Sequence, residues 1–163
     1  YLNDHDDIEI IGGWAIEFDK NPKDKNNFIL KKPNDGKKIF EQFHYMSPLI
    51  HPLVVFRVSV FDKIGLYDET FYDEKGGCSE DLELWARALK NNIKIQNIQE
   101  PLLYYRITGR LDRRSQADSI KRQIRARYAY NTMSIKLNIL KIFSIFFRIL
   151  PKKTRNWAYN NLR

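Results

Sequence analysis

The sequence predicts an α/β fold followed by a helical, basic C-terminal tail. Runs rich in β-branched and aromatic residues at 8–18, 53–56 and 93–107 have strand character. Between the second and third of them, residues 80–91 carry apolar side chains at helical spacing. The last third holds a single glycine, Gly109, and alternates apolar with basic residues. At 163 residues, 43% hydrophobic and 13% aromatic, the chain can bury one domain-sized core. The same composition excludes a collagen, a low-complexity linker and a largely disordered chain.

Taken in order, Ile8-Glu9-Ile10-Ile11 and Trp14-Ala15-Ile16-Glu17-Phe18 read as one interrupted strand, with a bulge or a close backbone approach at Gly12-Gly13. Residues 21–36 are polar and contain Pro22, Pro33 and the turn pair Asp35-Gly36, which predicts a hairpin or surface excursion ending in a short helix near 39–45. Pro48 and Pro52 bracket Leu49-Ile50-His51, and the apolar run 53–56 has strand length. Ser59 is expected to cap a brief helix that Gly65 stops after Ile64. Residues 67–79 are acidic, aromatic and without period, a loop of a length that often carries function.

Leu82, Trp85, Ala86 and Leu89 then recur at i, i+3, i+4 and i+7, with Ser79 as N-cap and Glu80 and Asp81 in the first turn. Residues 93–98 and 102–107 read as two strands split by Glu100-Pro101. A basic helix over 115–132 and a more apolar one over 134–150 follow, and Pro151 separates the latter from a terminal helix containing Trp157 and Tyr159.

Charge divides the chain more sharply than composition does. Residues 1–105 hold 13 Lys/Arg against 18 Asp/Glu, a net −5, whereas residues 106–163 hold 15 against 2, a net +13. Such a tail suggests an anionic partner: membrane lipid, nucleic acid or an acidic protein. Nucleic-acid binding is not expected, because no recognised motif accompanies Arg110, Arg113, Arg114, Lys121, Arg122, Arg125 and Arg127. Ile139, Leu140, Ile142, Phe143, Phe146, Phe147, Ile149 and Leu150, with Lys136, Lys141, Arg148, Lys152, Lys153 and Arg155, make residues 134–163 a candidate for an anionic membrane surface. Packing on the domain, or on a second copy in a homo-oligomer, is the alternative. Lys136, Asn138, Lys141, Ser144 and Arg148 interrupt the apolar stretch, so a membrane-spanning helix is not expected. The lone cysteine, Cys78, permits no internal disulfide, and the opening residues show no leader; a reducing, cytoplasmic compartment is the expectation.

Asp4-His5-Asp6 has the form of an Asp-x-Asp divalent-metal motif, but only Tyr1-Leu2-Asn3 precedes it instead of an apolar strand, so a solvated turn is expected. His5, His44 and His51 lack metal-ligand spacing, and His51, beside Pro52, reads as a structural hydrogen-bonder. No phosphate-cradling glycine motif and no G-x-S-x-G occurs. The informative stretch is Gly76-Gly77-Cys78-Ser79-Glu80-Asp81-Leu82-Glu83-Leu84-Trp85-Ala86-Arg87. At about 100° per residue Asp81 falls at the edge of the apolar stripe, while Glu80 and Glu83 fall on the far side, where Arg87 can pair with Glu83. A carboxylate at an apolar rim beside a glycine-rich loop suits a general base. Simple helix capping is the other reading.

His51-Pro52-Leu53-Val54-Val55-Phe56-Arg57, Val60-Phe61-Asp62-Lys63-Ile64-Gly65-Leu66-Tyr67-Asp68-Glu69, residues 79–87 and Pro101-Leu102-Leu103-Tyr104-Tyr105-Arg106 resemble, in order and spacing, the second half of family 2 glycosyltransferases with the GT-A fold. Ile10-Ile11-Gly12-Gly13-Trp14 looks like the strand after that family's metal-binding loop. The resemblance covers about residues 1–110 and implies a partial GT-A mixed sheet with flanking helices there, the acceptor side; the basic amphipathic helical tail read from charge and patterning occupies 111–163. The resemblance also implies an inverting transfer of one sugar from a nucleotide-diphospho-sugar to a glycan or lipid-linked acceptor, in bacterial envelope polysaccharide synthesis, on the inner face of the cell membrane. Asp81 matches the general base and Glu80 a supporting carboxylate. The resemblance places the Mg or Mn ligands and the nucleotide contacts before Tyr1, so the chain alone is expected to be inactive. A non-catalytic protein- or membrane-binding module is the alternative function.

Overall fold

The computed structural model describes residues 1–72, 79–107 and 117–161. Its sheet is built on β1 (Ile10–Phe18), whose residues are buried or half-buried throughout. Two short strands, β2 (Phe28–Leu30) and β3 (Val55–Phe56), run antiparallel to β1, and β4 (Ile95–Arg106) runs parallel to it. Because β4 follows β1 from Ile10 to Phe18, it takes one edge and the two short strands share the other. The expected α/β class and the hairpin at residues 21–36 are both present.

The glycine pair marks a close approach, as expected. A methyl on Gly12 would strike Asn97 Oδ1 and Leu49, and one on Gly13 would meet Leu102 Cδ1 at 2.9 Å. Asn97 is itself enclosed, donating from Nδ2 to the carbonyls of Pro33 at 2.7 Å and Pro48 at 3.2 Å. The two strands expected within 93–107 are one. Gly12 faces Asn97 and Trp14 faces Pro101, so the extra residues of β4 are taken up in a bulge. Pro101, which has no N–H, sits where the ladder is already broken and so does not end the strand.

Helices α1 (Gly36–Phe43), α2 (Ser59–Ile64) and α3 (Glu80–Lys90) complete the body. Asp35 Oδ1 accepts from Lys38 N–H at 2.9 Å and caps α1. The strand expected over 53–56 shrinks to two residues, because Pro52 favours a 3₁₀ turn at His51–Leu53. Ser59 does not cap α2: it is the first helical residue, and Val58 occupies the cap position without a side-chain bond. Gly65 does end α2, at φ +76°. The core gathers Ile10, Ile39, Phe43, Leu49, Val60, Leu84 and Trp85, and the tail contributes the buried Ala126 and the partly buried Tyr130.

The tail forms α4 (Ala117–Tyr128), α5 (Ile135–Ile149) and α6 (Lys152–Asn161). Ser134 Oγ accepts from Leu137 N–H at 3.4 Å and starts α5. Three buried cations join these helices end to end. Arg127 of α4 donates to the carbonyl of Phe43, the last residue of α1. Lys141 of α5 donates to the carbonyls of Arg127 at 3.0 Å and Tyr130 at 3.1 Å, closing the end of α4. Arg155 of α6 reaches Arg148 O at 3.2 Å and Leu150 O at 3.3 Å, closing the end of α5. Each cation meets carbonyls that a helix C-terminus leaves unpaired, at the negative end of its dipole. Part of the tail's charge is therefore internal cement, which the charge count alone does not reveal.

Candidate active site

The N-terminus of α3 is held by its other face. Leu82, Trp85 and Ala86 are buried, with Trp85 stacked on Phe56 at 5.8 Å. This fixes Glu80 and Asp81 at the helix start, opposite two loops. One delivers His51, which the Pro52 turn sets edge-on to Trp85 at 6.2 Å. The other delivers Tyr67, whose hydroxyl lies 2.9 Å from His51 Nε2. Arg87 holds the second loop, donating to the carbonyls of Ile64 and, at 2.8 Å, Leu66.

Asp81 is half-buried, and its Oδ1 accepts from Leu82 N–H at 2.7 Å; among the described residues no hydrogen bond engages its second oxygen. Glu80 differs from its expected position. It does not turn away from the rim: it is half-buried, and Oε2 is enclosed with no hydrogen-bond partner among the described residues. Burial, reinforced by the charge of Asp81 and opposed by its own backbone N–H and by His51, raises the Glu80 carboxyl above its ordinary range. Burial and the same two carboxylates raise the Tyr67 hydroxyl as well.

Glu83 pairs with Arg87 as expected, at 2.8 Å, but it is buried and not on an open face. The pair steadies the loop that carries Tyr67, because Arg87 also donates to the carbonyls of Ile64 and Leu66. Ser79 takes the N-cap position of α3 but makes no capping bond, and its Oγ is buried without a partner. Gly76, Gly77 and Cys78 lie outside the described residues.

The tail also reaches this region. Arg125 stands 3.9 Å over the Phe71 ring, donates to Thr70 Oγ1 at 2.6 Å and lies 3.6 Å from Asp68. Arg127 feels the Asp81 carboxylate, which offsets part of the burial and the Arg148 charge that press its guanidinium toward the neutral form. The grouping of His51, Tyr67, Glu80 and Asp81, with Arg127 in electrostatic reach of Asp81, can accept a proton at a carboxylate. Periodicity could not supply Tyr67, His51 or Arg127, which come from three separated stretches of chain. Pro48 and Pro52 around His51 were the one local signal of a fixed position.

Asp4, His5 and Asp6 are exposed in a turn, with the His5 ring stacked on Tyr1 at 3.9 Å. Among the described residues no group of three His, Cys, Asp or Glu side chains is placed to hold a metal ion. The divalent cation of the resemblance finds no ligand set among the described residues. Among the described residues no helix is long and apolar enough to cross a membrane.

Three curated relatives align with the chain. A UDP-Gal:alpha-D-GlcNAc-diphosphoundecaprenol beta-1,3-galactosyltransferase of Escherichia coli is 30% identical over 168 residues, covering 99% of this chain and 58% of that protein. An uncharacterized glycosyltransferase of Methanocaldococcus jannaschii is 30% identical over 110 residues, 68% of this chain and 36% of that protein. An amylovoran biosynthesis glycosyltransferase of Erwinia amylovora is 23% identical over 168 residues, 100% of this chain and 60% of that protein. The homologues are thus glycosyltransferases, and the chain spans 36% to 60% of their length. No family model matches the chain, and no solved structure matches it.

Proposed function

We propose that this chain is the acceptor-side part of an inverting family 2 glycosyltransferase of GT-A fold, which moves one sugar from a nucleotide-diphospho-sugar to a lipid-linked glycan acceptor. The observation that carries the reading is the pair Glu80 and Asp81 at the start of α3, facing Tyr67, with Arg127 near Asp81. Asp81 has a carboxylate oxygen outside any described hydrogen bond and takes the proton of the acceptor hydroxyl as the hydroxyl oxygen bonds to the anomeric carbon and the bond from that carbon to the nucleotide diphosphate breaks, the diphosphate leaving with the electron pair. Glu80, raised by burial and by its neighbour, has one oxygen enclosed and supports the site. Arg127 offsets the negative charge from behind.

The Escherichia coli relative, named for a diphosphoundecaprenol-linked acceptor, supports the lipid-linked assignment, and the Erwinia amylovora relative supports polysaccharide assembly. Both relatives are longer than the matched region, so activity is assigned to a longer protein. The 163 residues by themselves are expected to bind UDP- and GDP-sugars only weakly. The test is an assay of the longer protein with UDP- and GDP-sugars and a polyprenyl-diphosphate-linked N-acetylglucosamine, with the product's linkage read by NMR. One added sugar of inverted anomeric configuration is the expected product. Retained configuration, or turnover only with acceptors that lack a sugar hydroxyl, contradicts the proposal.

A further inference from the structure

The outer face of α5 is apolar and uncovered. Ile135, Ile139, Ile142, Phe143, Phe146 and Ile149 are all exposed, and the helix projection gathers them in an arc of roughly 120°. The opposite face carries the buried Leu137 and Lys141. The helix cannot roll this stripe inward: Lys141 is bonded to the end of α4, and Asn138 Nδ2 donates to Thr132 O at 3.1 Å. Met133 before the helix and Trp157 after it are exposed too, at 98% and 60%.

We propose that this face lies on an anionic phospholipid bilayer, in its plane and at the headgroup level. The proposal rests on the lipid-linked acceptor argued above and adds how the protein meets the membrane that holds it. Charge selects the occupant. From Ser119 to Arg163 the sequence has no Asp or Glu and eleven Lys/Arg. Three of these, Arg127, Lys141 and Arg155, are spent on helix ends. Lys136, on the flank of the stripe, and Lys153 are exposed. Anionic headgroups complement such a surface. A second copy would bring two acid-free, basic segments together, and their repulsion opposes that pairing. The 15 residues of α5 span about 22 Å, too short to cross a bilayer but suited to lying in one. Since α4 packs against α3, the docked face is tied mechanically to Glu80 and Asp81.

The experiment is co-sedimentation of the full chain with vesicles of equal phosphatidylglycerol and phosphatidylcholine, and with phosphatidylcholine alone, without nucleotide sugar. Binding to the anionic vesicles is expected to be at least about tenfold tighter, and to weaken in about 0.5 M NaCl. Phe143→Ser with Phe146→Ser, and separately Lys136→Glu with Lys153→Glu, should each weaken it about tenfold or more, with unchanged circular dichroism. Because all four side chains are exposed, the two pairs test the face by independent routes. No binding, equal binding to neutral vesicles, or wild-type binding by both variants overturns the proposal. So does a dimer in gel filtration that the phenylalanine variant dissociates, which assigns the face to a second copy. Failure here leaves the sugar-transfer reading standing, and an enzyme without transferase activity that still binds vesicles leaves this one standing.

Discussion

In the body Ile10, Ile39, Phe43, Leu84 and Trp85 are enclosed, while Lys23, Lys37 and Lys38 face solvent; in the tail Arg127 and Lys141 are enclosed, while Ile142, Phe143 and Phe146 face out. The two regions solve different problems. The body buries apolar area around a sheet. The tail's helices are joined mainly through cations that satisfy helix-end carbonyls, which leaves their apolar side chains free for a surface outside the chain. Basic composition therefore has two meanings in one segment, and only the positions of the side chains separate them.

Arg127 is where body and tail depend most on one side chain. Arg127→Ala removes a large buried side chain and its bond to the Phe43 carbonyl, and is expected to cost about 3 kcal/mol in urea unfolding. Arg127→Met keeps most of the packing and should cost less; an unchanged midpoint for Arg127→Ala means the tail is not stapled to α1.

His44 sharpens the same junction by pH. It is enclosed against Phe40, Phe43 and Tyr130, with neither ring nitrogen hydrogen-bonded, and burial, helped by Lys141 and Arg127, pushes its pKa down to about 4. The unfolded chain takes up this proton near 6.5 and the folded one does not. Stability from this group is thus complete above pH 6.5 and eroded as pH falls toward 4, by up to about 3 kcal/mol. His44→Leu should flatten that slope in denaturation curves at several pH values; an unchanged slope assigns the acid sensitivity elsewhere.

In the body, Glu83→Gln should cost about 2 kcal/mol, because it weakens the partly buried pair with Arg87 that steadies the Tyr67 loop. Thermal melting reads this directly. In the tail, Phe146→Ser should change stability by less than about 0.5 kcal/mol, since the ring is 64% exposed. A larger loss would mean that α5 packs on the chain after all.

Local patterns carried much of this architecture. The strand at β1, the Gly12-Gly13 approach, the hairpin, the Gly65 stop and the helical spacing of Leu82, Trp85 and Ala86 all depend on neighbours in sequence. Features set by tertiary contact escaped it. Pro101 ends a strand by propensity but sits in a bulge, and Glu83 faces outward by projection but is covered by the loop after α2. The Glu80–Asp81 pair was legible because it stands beside a strongly periodic helix. Its partners were not, since His51, Tyr67 and Arg127 are joined to it only by folding.

Asp81, and not Glu80, is the proposed acceptor of the proton. The direct measurement is steady-state kinetics of Asp81→Asn and Glu80→Gln in the longer protein, with the fold checked by circular dichroism. Asp81→Asn should lower kcat by about 10² to 10⁴ with little change in donor KM, because the amide keeps the shape and cannot accept the proton. Glu80→Gln should be milder, as Glu80 is proposed to support the site and Asp81 to take the proton. Transfer by Asp81→Asn within about threefold of wild type, with activity abolished in Glu80→Gln, contradicts the account.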